Sequence, residues 1–146
     1  MFQAIHANRN GCLYRVELQD IADIADMIRD RRTETVTSRA GEVFWFTTHA
    51  RQLQVNRRAT ELLLHVTPFT ARQVPLLRGD VVITGIDAAG GPDDLLTARL
   101  HYLAGIQPTC RDMWVLSRRY ARDLKAQRRA ARASHAARMA ALTDNP

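Results

Sequence analysis

From Arg118 to Leu142 the chain reads "RRYARDLKAQRRAARASHAARMAAL", without a glycine or a proline. Alanine and arginine are both strong helix formers, so this stretch predicts one long helix. It carries seven arginines and one lysine against a single carboxylate. Any fold the chain adopts must therefore leave one face of that helix in water or against something acidic.

The helix is predicted to start at Thr109. Thr109 and Asp112 have the spacing of a capping box and follow the helix-terminating Gly105 and Pro108. At about 100° per residue, Arg111, Arg118, Arg122, Lys125, Arg129 and Arg132 fall within about 40° of one line. Met113, Leu116, Tyr120 and Leu124 fall on the opposite side and predict a docking stripe. Beyond Leu124 that stripe fades into Gln127, Ala131 and Ser134, which bury little. The expected organisation is a body over residues 1–108 and a basic helix over 109–142, docked by its first half and projecting with its second.

The body is predicted to be an α+β domain. "FQAIHA" and "CLYRVEL" read as strands joined by "NRNG", whose Asn10-Gly11 marks a hairpin turn. "DIADIADMIRDRR" places Ile21, Ile24, Ala25 and Ile28 on one helical face behind an Asp20 cap, with arginines at its end suited to the helix dipole. "ETVTS" and "EVFWFTT" form a second hairpin around "RAG", with Trp45 in the sheet core. "NRRATELLLHV" is a helix capped by Asn56, and "GDVVITGI" a buried strand entered at Gly79. "DDLLTARLHYLAG" reads as a short helix that opens on Asp93 and Asp94 and closes on a left-handed Gly105. Strand pairs and helices alternate irregularly, which predicts one mixed sheet packed by short helices.

Charge separates the two parts. Residues 1–110 hold twelve basic and twelve acidic residues, whereas residues 111–146 hold nine and three, so the net +6 lies in the last quarter. A neutral body with a basic arm is the asymmetry of a nucleic-acid-binding appendage. Phosphates would relieve the mutual repulsion of the stripe and release counterions. Arginine outnumbers lysine twenty to one, but over the whole chain, so the bias carries no specific message.

Trp114 falls beside Arg111 and Arg118, where it either packs on the body or offers a ring on which a base could stack. Cys110 in the first turn has no histidine near it in sequence to act as a base, and reads as a passive thiol. His6, His49, His65, His101 and His135 lack metal-ligand spacing. "DAAGGPDD" fails the spacing of a calcium loop, and no phosphate-loop, dinucleotide-binding or nucleophile-elbow motif is present. No metal, cofactor or catalytic residue is predicted. Two cysteines without a framework, and a start that lacks a signal-peptide pattern, predict a reduced, cytoplasmic setting with no membrane role.

"NRRATELLLHVTPFTARQVPLLRGDVVITG", followed by "RDMWVLSRRYARD", resembles in texture the small uncharacterised proteins of actinobacteria and their plasmids and phages. That resemblance implies an accessory or regulatory protein of a mobile element. The expected function is therefore non-enzymatic binding of DNA or RNA through the cationic helix. The rivals are an adaptor that engages an acidic protein or self-associates through the same helix, and a small basic nuclease using His49, Arg51 and Tyr102.

Overall fold

A computed structural model describes residues 1–49 and 53–144 of the 146-residue chain. The α+β class is observed. Strands β1 (Phe2–Ala7) and β2 (Leu13–Leu18) form one hairpin, and β3 (Thr33–Thr37) and β4 (Val43–Thr47) another. Between them lies β5 (Val81–Ile86), which pairs with β1 on one side and β4 on the other. The short β6 (Pro92–Asp93) folds back on the end of β5, giving a sheet of order β2-β1-β5-β4-β3 with β6 off that path. Every strand pairing among the described residues is antiparallel, so the sheet is not the mixed one the element order predicts.

Three turns share one construction. At Asn8–Cys12, Ser38–Glu42 and Asp87–Gly91 the fourth residue is a glycine with positive φ, whose N–H donates to the carbonyl of the first. This is the three-residue hairpin loop in which glycine takes the left-handed position without steric cost. The first residue adds a side-chain acceptor. Asn8 Oδ1 accepts from Asn10 and Cys12, Asp87 Oδ1 from Ala89 and Gly91, and Ser38 Oγ from Glu42.

Alternation along the strands gives the sheet two apolar faces. Helix α1 (Ile21–Ile28) covers one, where Ile24 and Ile28 meet Phe2, Ala4, Val43, Trp45 and Val82. Ile21, predicted on that buried face, is the first residue of α1 and is 51% exposed. Asp20 caps α1 by accepting from Asp23 N–H, and the helix ends on Arg29 at φ 63, so no cation occupies its last turn as predicted. Trp45 is buried as expected, its indole N–H donating to Thr84 Oγ1 at 2.9 Å.

The opposite face carries the larger core. Ile5, Ala7, Phe44, Val81 and Ile83 pack against α2 (Arg57–Val66), α3 (Thr97–Ala104) and the start of α4 (Cys110–Thr143). Asn56 and Thr109 cap α2 and α4 as predicted, their side chains accepting from Ala59 and Asp112 N–H. Helix α3 departs from prediction at both ends. It begins at Thr97 with no side-chain cap, because Asp93 is paired into β6 and Asp94 Oδ1 accepts from Gln3 N–H at 2.6 Å. It ends on Gly105 at φ −90, a right-handed conformation, while Arg58 donates to the carbonyls of Ala104 and Ile106 there.

The seam that docks α4 differs from the predicted stripe. Leu116 and Tyr120 are buried, but Met113 and Leu124 are 37% and 39% exposed. Their places are taken by Val115, Arg119, Asp123 and Gln127, all partly buried. Arg119 donates to the carbonyls of Ala71 and Val74, Asp123 pairs with Arg78 through both oxygens, and Gln127 donates to Leu53 O. From Arg128 to Asp144 every residue is exposed. Ending the chain after Gln127 is accordingly expected to change stability by no more than about 0.5 kcal/mol, as for other exposed positions. Denaturant melts of the two lengths measure this.

Candidate functional site

The docked half of α4 and the segment joining α2 to β5 form the two walls of a groove of about 1010 Å³. Trp114, Val115, Arg118 and Arg122 line it from the helix, and Arg72 and Leu76 from the facing segment. The Ala71–Val74 segment is held in place by Arg119, which commits its guanidinium to two backbone carbonyls. Burial lowers the pKa of Arg119 from its ordinary value, with Arg122 adding to the effect.

Trp114 does not pack on the body. It is 59% exposed, and the Arg118 guanidinium lies over its ring at 4.8 Å from the centroid, within cation–π range. The carboxylate that lines the groove, Asp123, is already taken by Arg78. Among the described residues, none of Arg72, Arg111, Arg118, Arg122, Lys125, Arg129 and Arg132 enters an ion pair. The groove is therefore a concentration of uncompensated positive charge beside an accessible aromatic ring.

The predicted residues divide into three positions. Trp114, Arg118 and Arg122 line the groove. Arg111 lines a neighbouring cavity of about 600 Å³ with His65, Phe69 and the start of α4, and this cavity shares Arg72 and Val115 with the groove. Lys125, Arg129 and Arg132 lie further along α4, exposed. Arg72 was not legible in the sequence: it is a single arginine in the irregular "TARQVP", and only the fold brings it opposite α4.

On the docked half of α4 Tyr120 is buried, its hydroxyl without a hydrogen-bond partner among the described residues, and the Arg57 guanidinium lies 5.0 Å from its ring centroid. Burial, with Glu61 adding, holds this phenol well above its ordinary range, so it stays neutral. The residues suspected of nuclease chemistry have separate surroundings. His49 lies beside Asp30 and Arg32 after β4, whereas Tyr102 on α3 meets His65 at 2.8 Å and lies under Arg99. Arg51 lies outside the described residues.

Among the described residues no cluster of three His, Cys, Asp or Glu could hold a metal ion, and no helix is long and apolar enough to cross a membrane. Comparison with protein-family models, curated proteins and solved structures finds no match to this chain.

Proposed function

We propose that this protein binds nucleic acid through the cationic face of α4, mainly by its phosphates, as an accessory or regulatory protein without catalytic activity. The observation that carries this reading is the uncompensated cluster of Arg72, Arg118 and Arg122 around an exposed Trp114. The face continues along α4 through Lys125, Arg129 and Arg132. Arginine's planar fork suits bidentate phosphate contact, and neutralising each phosphate releases counterions. Contacts of this kind position a strand without reading its sequence.

The test replaces Arg122, Lys125, Arg129 and Arg132 together by glutamine, which keeps helix propensity while removing four charges. Affinity for generic DNA or RNA is expected to fall steeply. The slope of log K against log salt should flatten by about 0.7–0.9 for each phosphate that is no longer neutralised. Arg72→Gln should weaken binding as well, although it lies outside the helix, whereas changes at the exposed Arg31 and Arg39 should do little. A wild-type protein with no salt-dependent binding to DNA or RNA at low ionic strength would refute the proposal and leave an acidic protein as the ligand of this face.

A further inference from the structure

We infer that the groove takes a single strand rather than a duplex, with one base stacked on Trp114; this rests on the nucleic-acid reading above. The first argument is steric. An isolated helix is about 10–12 Å across and the major groove of B-DNA about 12 Å wide, so a bare helix just fits. Around Trp114 and Arg118 the helix is not bare: Arg72 and Leu76 stand beside it as the other wall of the groove. That part of α4 is too broad to enter a duplex, which could reach only the exposed half beyond Gln127.

The second argument is chemical. A base within a duplex already has both faces stacked, whereas an unpaired base has a face to give, and every base has one. Trp114, 59% exposed, offers the complementary surface. Arg118 over its ring, at 4.8 Å, restrains the side chain before any ligand arrives, which lowers the cost of ordering it on binding. Leu76 and Val115 add apolar wall for the base and sugar, while Arg72 and Arg122 face the same space and can meet the flanking phosphates. A stacking ring between free cations is the arrangement by which sequence-tolerant single-strand binding works.

The experiment measures binding of the full chain to a labelled oligodeoxyuridylate, an oligouridylate and a mixed-sequence duplex of equal length, at low salt. The single strands are expected to bind tighter than the duplex, and the tighter of the two identifies the preferred sugar. Trp114→Ala should weaken single-strand binding by about 5- to 150-fold, the worth of one base–aromatic stack, and leave duplex binding unchanged. Trp114→Phe should keep most of the single-strand affinity, and it carries the test if the alanine variant melts early. Single strands should also quench the exposed Trp114, while Trp45 stays shielded in the sheet core. Tighter binding to the duplex, or an equal effect of Trp114→Ala on both ligands, would overturn the single-strand inference alone. Absence of salt-dependent binding to all three would overturn it together with the nucleic-acid reading.

Discussion

Asn56→Ala is expected to cost about 3–5 kcal/mol, a large part of the roughly 5–15 kcal/mol that holds a domain together. Asn56 is fully buried where β1, α2 and the entry to β5 meet. Its amide nitrogen donates to the carbonyls of Ala7, Asn8 and Gly79 at 2.9, 3.1 and 2.8 Å, and its Oδ1 caps α2 through Ala59 N–H. Truncation removes a cap worth about 1 kcal/mol and takes a donor from the buried carbonyls of Ala7 and Gly79, at about 1–2 kcal/mol each, whereas Asn8 O keeps the Gly11 N–H. Two further variants separate these contributions. Asn56→Ser can keep the cap without reaching the carbonyls, so the gap between serine and alanine measures the cap. Asn56→Asp preserves shape but turns an oxygen toward carbonyl oxygens, and it should be at least as damaging as alanine. An aspartate variant that melts like the wild type would show that the amide donors contribute nothing.

Arg99→Ala is expected to destabilise by about 3 kcal/mol, through the charge it leaves behind. Glu42 sits just before β4 with a side chain only 2% exposed, and Arg99 from α3 reaches it with Nε at 2.6 Å and a second nitrogen. Ser38 donates to the other carboxylate oxygen and accepts from Glu42 N–H, so the pair also fixes the β3–β4 turn. Arg99 itself is 35% exposed, and water can take over its solvation if Glu42 is removed. The asymmetry predicts that Glu42→Gln costs less than Arg99→Ala, although each breaks the same ion pair. Equal deficits in the two variants at neutral pH, read from denaturant melts, would contradict this prediction.

Much of the local structure was legible because its causes lie within a few residues. The Gly11 and Gly41 turns, the caps at Asp20, Asn56 and Thr109, and the long unbroken helix α4 each follow from side chains next to the backbone they control. The helix's cationic face was legible for the same reason, since helical periodicity alone brings Arg118, Arg122 and Lys125 to one side.

The errors fall where the deciding partner is distant in sequence. Asp93 and Asp94 look like a helix start until β5 offers a strand to pair with and Gln3 donates its backbone N–H to Asp94. Met113 and Leu124 look like the docking stripe, but the facing segment presents carbonyls and Arg78, so Arg119, Asp123 and Gln127 make the contacts. The sheet is antiparallel throughout the described residues because β5 is threaded between two hairpins, a pairing across dozens of positions that no local pattern encodes.

The same division runs through the candidate site. Local composition and helical periodicity are enough to set a helix of this charge and the cations that share its face. That Trp114 stays in solvent under Arg118, and that Arg72 stands across from both to make a groove, depends on how the helix docks on the body. Helical spacing is a property of the backbone of one segment. A groove needs two segments, and which two meet is settled by the burial of Leu116 and Tyr120 into a core assembled from the whole chain.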